Sequence, residues 1–199
     1  LVKDTVRAIL VTGDGTAWVG SNSGLDEVDL AQGRVVRHFP TKNIVTVVRE
    51  QDSANLWIGT YLGGLQRFQK QTGLQMGFVH RPEQPHRLVA NSIQDIVVDN
   101  QRTTWIATDR GISRIGVRAL QFGFYSTSLR SKFVSSLVQD VDGDIWIGGR
   151  GLMKMNPLDA SQRTNVLLLK DNLISSLLCD REGTIWIGTN RGLMKHSRS

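Results

Sequence analysis

Apolar positions along this chain keep a fixed distance from five tryptophans, Trp18, Trp57, Trp105, Trp146 and Trp186. Twelve residues before each stand Val6, Val45, Ile93, Val134 and Ile174, and nine before each stand Ile9, Val48, Ile96, Leu137 and Leu177. The segments between them are short, rich in β-branched residues and bounded by turn formers, which predicts a strand rather than a helix. An Asp/Gly turn follows, clearest in "DVDGDIW" and "DREGTIW". Asp bonds nearby backbone there and Gly tolerates positive φ.

The Trp strand comes next. Each Trp is followed by Val or Ile and then by a small residue: Gly20, Gly59, Ala107, Gly148 and Gly188. A small residue inside a strand leaves room for a close neighbour. A second tight turn, a third strand opening on Leu or Ile ("GLDEVDL", "GLQRFQK", "GISRIGV", "GLMKMNP") and a fourth short segment complete the unit. The tryptophans are 39, 48, 41 and 40 residues apart. Four strands per forty residues or so is the blade of a β-propeller. The predicted fold is therefore all-β: one segment over residues 1–199 built of four-stranded antiparallel blades, with five repeats visible and the last incomplete after "GLMKHSRS". Two turns depart from the pattern. "REQDSANLWIG" lacks the Gly and reads as one residue longer, and "DNQRTTWIAT" lacks the Gly too. Both must close differently. Five repeats with an unfinished last blade suggest part of a larger ring, and a closed five-bladed ring is the alternative.

The unit "ISSLLCDREGTIWIGTNRGL", Ile174 to Leu193, resembles the two-component regulator propeller repeat, and the resemblance spans essentially the whole chain. It implies the extracytoplasmic sensor portion of a bacterial hybrid histidine kinase or diguanylate cyclase, typically seven-bladed. The implied location is periplasmic, and the implied ligand is a small molecule such as an oligosaccharide. It also implies an output domain beyond this segment, membrane attachment only through a segment outside it, and homodimerisation through the full-length receptor.

Composition adds one feature. The 24 Lys and Arg exceed the 18 Asp and Glu, for a net charge of +6, which favours anionic partners. Three Arg residues repeat in the turn after the Trp strand: Arg110, Arg150 and Arg191. In a propeller these turns share a face with the loops joining successive blades. Those loops carry Lys42, Arg81, His86, Arg87, Arg130, Lys132 and Lys170. Arg matches carboxylates and sulfates bidentately. The candidate ligand-binding residues are therefore Arg110, Arg150, Arg191, Lys42, Arg87 and Lys132, with Asp95 as an acid at the channel mouth. Ser135, Ser136, Ser175 and Ser176 on the inner strands read as small residues fitting a crowded axis.

The tryptophans read as packing between blades, and Asp140 and Asp180 as turn structure. The four His residues lack metal-ligand spacing, and no catalytic motif is traceable, so neither a metal, nor a cofactor, nor enzymatic activity is expected. No interleaved aromatic and basic stripe marks a nucleic-acid binder. Two functions remain in play, a ligand-binding sensor and a protein-interaction scaffold.

Overall fold

The computed structural model describes residues 5–84, 87–116, 122–125, 132–158, 163–166, 169 and 172–197. They form nineteen strands in five antiparallel meanders. Blade 1 is β1 (Val6–Val11), β2 (Thr16–Ser21), β3 (Gly24–Asp29) and β4 (Arg34–Pro40). Blade 2 is β5 (Val45–Glu50), β6 (Asn55–Thr60), β7 (Leu65–Gln69) and β8 (Gln75–Phe78). Blade 3 is β9 (Ile93–Val98), β10 (Thr104–Thr108), β11 (Gly111–Ile115) and β12 (Phe122–Tyr125). Blade 4 is β13 (Val134–Gln139), β14 (Ile145–Gly149), β15 (Gly151–Met155) and β16 (Arg163–Val166). Blade 5 has three strands among the described residues: β17 (Ile174–Cys179), β18 (Ile185–Thr189) and β19 (Gly192–His196). This is the all-β propeller architecture that the repeats predict. The inner strands β1, β5, β9, β13 and β17 stand side by side in that order.

Packing follows the repeat. Trp57 lies in one apolar cluster with Ile93, Ile96 and Ile106 of the next blade, and Trp105 in another with Val134, Leu137, Ile145 and Ile147. Trp146 meets Ile174, Ile185 and Ile187, and Trp18 meets Val45, Val48, Leu56 and Ile58. Each ring buries on the order of 150–250 Å² at a seam. The small residue two places after Trp receives the first apolar residue of the next inner strand. A methyl group on Gly20 would come within 2.4 Å of Val45 Cγ1, and one on Gly148 within 2.6 Å of Ile174 Cγ2.

The tryptophans are also tied at their polar end. Asp99, Asp140 and Asp180, six residues before their Trp, each accept the indole Nε1–H on Oδ2 at 2.8 Å. The other oxygen of each accepts two turn amides, for example Asp142 N–H and Asp144 N–H on Asp140 Oδ1 at 3.0 and 2.9 Å. Burial alone would raise Asp140. The hydrogen bonds from Trp146 and Lys154 and from the amide of Asp144 outweigh it and hold the carboxyl below its ordinary range. Asp180 is lowered too, mainly by the Trp186 indole.

Blades 1 and 2 depart from this scheme. Thr12 stands where the capping Asp would be, and its hydroxyl donates elsewhere, so the buried Trp18 Nε1–H has no acceptor among the described residues. In blade 2 the position holds Gln51, and the Trp57 indole donates to Thr104 Oγ1 of blade 3 at 3.0 Å. The β5–β6 turn is not longer than the others. Glu50 pairs with Leu56 as Gln139 pairs with Ile145, so the extra residue read in the sequence is absent. Asp52 closes this turn by accepting the Ala54 and Asn55 amides, at 2.9 and 2.8 Å.

The two ends of the arc are open. On β1, Ile9 and Val11 are 63% and 62% exposed, although Val48 and Ile96, the equivalents of Ile9, are fully buried. On blade 5, Leu193 is 69% exposed, whereas Leu25, Leu65 and Ile112 at the same register are fully buried. Trp186 is accordingly only half-buried.

Candidate functional site

One end of every blade carries both the turn after the Trp strand and the loops that link blades. The turns are built by a hydroxyl three residues past Trp. Thr108 Oγ1 donates to Gly111 O at 2.8 Å and accepts the Arg110 amide at 3.1 Å. Thr189 does the same for Gly192 and Arg191, at 2.8 and 3.0 Å. The hydroxyl thus pins the backbone beneath each Arg and leaves the guanidinium outward, and Arg110 and Arg191 are exposed. Blade 4 has Gly149 at this place, and its turn is one residue shorter, with Arg150 alone between the paired Gly149 and Gly151. Arg150 is exposed as well and bridges through its backbone to Leu173 of blade 5. The turns also dock on neighbouring blades, through Gly64 N–H to Asn91 O at 2.9 Å and Gly151 N–H to Asn172 O at 3.0 Å.

Lys42, Arg87 and Lys132 lie in the linking loops on this same face and are exposed. His86, Arg130 and Lys170 lie outside the described residues. The six candidate cations share one rim, on separate turns and loops. Sequence reasoning passed over Tyr61, Leu62, Phe133 and Leu173 on the same rim, which are 50%, 61%, 40% and 45% exposed. Tyr61 and Leu62 are the first two residues after the Trp strand of blade 2, and Phe133 and Leu173 stand directly before inner strands. An aromatic or leucine at a position otherwise filled by polar turn residues was the available signal. An exposed ring suits the apolar face of a sugar and an Arg fork suits an acidic group, and this rim carries both residue types.

Asp95 sits differently from the rest. It lies on β9, and its carboxylate is buried between blades rather than displayed on the rim. Oδ1 accepts from Arg49 Nη2 of blade 2 at 3.1 Å and from the Ile96 amide at 2.8 Å. Oδ2 accepts from the Leu137 amide at 2.9 Å and from Ser136 Oγ of blade 4 at 3.3 Å. Ser136 Oγ in turn accepts the Leu177 amide of blade 5 at 3.0 Å. One polar chain therefore runs across four inner strands, Arg49 to Asp95 to Ser136 to Leu177. Burial is the largest influence on Asp95 and raises its pKa. Arg49, the two amides and Ser136 only partly oppose it.

The cause is a bulge in each inner strand after its first residue, as between Val134 and Ser136. It turns the next side chains sideways, toward the neighbouring blade. Thr46 Oγ1 and Ser135 Oγ exploit it, donating to Ile93 O at 2.7 Å and Ile174 O at 2.6 Å of the next blade. The hydroxyls of Thr46, Ser135 and Ser136 are thus stitches between blades, whereas Ser175 donates to Gly188 O within its own blade at 3.2 Å.

Residues 128–151 and 168–191 match the two-component regulator propeller family. The first covers the β13–β14 hairpin and the second the β17–β18 hairpin, with their capping Asp and rim Arg. The chain is 24% identical over 121 residues to histidine kinase P4 of Formosa agariphila, which covers 56% of this chain and 9% of that protein. Among solved structures it superposes on the extracellular domain of BT3049 of B. thetaiotaomicron, designated a hybrid two-component system. The TM-score is 0.83 at 24% identity, over 100% of this chain and 29% of that one. The extracellular domain of BT4673 of the same organism, likewise designated, gives a TM-score of 0.82 at 24% identity, over 98% and 26%. These likenesses share the propeller fold, and the chain spans less than a third of each of these proteins.

Proposed function

We propose that this propeller is the ligand-sensing, extracytoplasmic part of a bacterial signalling receptor of the two-component type. In this reading an acidic oligosaccharide sits on the rim, held by Arg110, Arg150 and Arg191 with Lys42, Arg87 and Lys132 around them, and Tyr61 or Phe133 stacks on its sugar. The observation that carries the reading is an exposed Arg in the turn after the Trp strand of three consecutive blades, pinned by a hydroxyl in blades 3 and 5. The ligand acts by differential affinity for two receptor states, and it is bound rather than transformed. Asp95 serves as an interblade tie. The extracellular placement of the two solved relatives supports the location, and an output domain and receptor dimerisation are part of the same proposal.

The arc continues, in the same reading, into further blades. Gly188 and the exposed Leu178 and Leu193 line an open cleft of about 330 Å³ at one end, where internal seams receive a Val or Ile. Val6, the residue that would fill such a cleft, stands 42% exposed at the other end. The test of the ligand site is binding of sulfated or uronic-acid oligosaccharides to Arg110→Glu with Arg150→Glu; unchanged binding refutes it. A protein-interaction scaffold is the second reading, favoured by the exposed Leu62 and Leu173 on the same rim. Binding that survives both charge reversals and fails on Leu62→Ser would select it.

A further inference from the structure

The opposite face of the propeller carries a groove beside Trp146 and another beside Trp57, and the two differ in charge. Between blades 4 and 5, a cavity of about 200 Å³ is lined by Asp140, Asp142, Trp146, Lys154, Gly183 and His196. Its cation is neutralised, since Lys154 Nζ lies 3.0 Å from Asp140 Oδ2 and 2.9 Å from Asp144 Oδ2. Between blades 2 and 3 the equivalent cavity, about 230 Å³, is lined by Gln51, Asp52, Trp57, Arg67, Arg102 and Thr104. Here Gln51 replaces the capping aspartate, so the carboxylate that binds the cation in blade 4 is gone. Arg67 Nε donates to the neutral Gln51 Oε1 at 2.9 Å, and its other contact, Asp52 Oδ2, is 4.0 Å away.

A second cation reaches the same cavity at a conformational cost. Arg102 has φ +62°, at the turn position where Gly15, Gly143 and Gly183 have φ +81°, +90° and +82°. A side chain in left-handed backbone is disfavoured, and glycine is the residue that suits it. Strain of this kind, where sister turns avoid it, points to a role for the side chain.

We propose that this groove binds an anion: a carboxylate or sulfate group taken between the guanidinium groups of Arg67 and Arg102, against the edge of Trp57. Both arginines offer planar donor forks suited to such groups. The site lies on the face away from the rim and is independent of the rim reading. The probes are inorganic sulfate and free glucuronate, titrated into the protein while the Arg side-chain Nε–H resonances are followed by NMR. The Arg67 and Arg102 signals move together and saturate with one constant. Arg102→Gly weakens binding by about tenfold, the loss of one charge-assisted contact, yet raises the melting temperature because glycine suits the turn. Gln51→Asp restores the neutralising carboxylate and abolishes binding in a folded protein, while Arg110→Glu leaves it intact. Resonances that do not move, or Gln51→Asp binding as the parent does, overturn the proposal.

Discussion

Thr12→Asp should stabilise this protein, because blade 1 lacks the indole cap that blades 3, 4 and 5 share. The Trp18 Nε1–H is buried without an acceptor among the described residues, in a side chain 1% exposed. A buried unpaired donor costs about 1–3 kcal/mol, and a hydrogen bond to a charged acceptor recovers most of it. Two effects oppose the gain. The Thr12 hydroxyl gives up its bonds to Asp14 Oδ1 at 2.5 Å and Thr16 O at 3.1 Å, worth roughly 1 kcal/mol net. A second carboxylate beside the exposed Asp14 costs about 0.5 kcal/mol more, on the scale of surface charge pairs. Blade 4 tolerates the same juxtaposition, with Asp142 two residues after Asp140. The net expectation is about 1 kcal/mol, or about 2–4 °C in melting temperature for a chain of this length. Thermal unfolding reads the stability, and the indole N–H resonance of Trp18 reads the new bond by a downfield shift. The sign with pH is also set. A carboxylate that accepts the indole has a folded-state pKa below its unfolded value, so the gain is full above about pH 4 and is lost as pH falls through the lowered value. An unshifted Trp18 indole together with an unchanged or lower melting temperature would refute the cap argument.

Removing an existing cap should do the reverse. Asp140→Ala frees the Trp146 indole and two turn amides and leaves Lys154 with Asp144 alone, and should cost about 2–4 kcal/mol in denaturant unfolding. The parent should lose stability on acidification below about pH 4, as the lowered carboxyls of Asp140 and Asp180 take up protons; a flat profile would count against this. Gly59→Ala places a methyl 2.5 Å from Ile93 Cγ2 and 2.4 Å from Val47 Cγ1, so the blade 2–3 seam should lose about 1–3 kcal/mol. Ser136→Ala cuts the link from Asp95 to β17 and leaves the Leu177 amide without its acceptor. It should cost about 1–2 kcal/mol and speed hydrogen exchange at Leu177 first, a local effect that a global loss of stability would not produce.

The blade was legible because it repeats. A Trp with Val or Ile twelve residues earlier and Gly two residues later is the sequence image of one seam, in which the knob of one blade fills the gap over the Gly of another. The turn role of Asp140 and Asp180 was visible for the same reason, and Asp99 shares their position. What escaped the sequence depends on bulges and neighbours. Asp95 read as an acid on the channel side, yet the bulge in β9 carries its carboxylate sideways into the gap between blades, where Arg49 and Ser136 meet it. The two hydroxyl stitches, Thr46 and Ser135, were hidden likewise. The blade 2 turn looked too long because Asp52 closes it without a Gly, although its register matches the other blades. The cationic rim was legible as a set of turn positions, but its exposed rings, Tyr61 and Phe133, lie outside the repeated pattern. The Arg67–Arg102 groove is visible only when the grooves of two seams are compared.

The central claim is that a cationic rim on one face of the propeller recognises an acidic oligosaccharide. The most direct measurement is calorimetric titration of the protein with matched sulfated, uronic-acid and neutral oligosaccharides at low and high salt. The same series is then repeated on Arg110→Glu with Arg191→Glu. The account predicts saturable binding of the acidic ligands alone, weakened by salt and lost by at least tenfold in the double variant, the scale of one or more charge-assisted contacts. Equal affinity for neutral and acidic ligands, or acidic binding untouched by the two reversals, would contradict it.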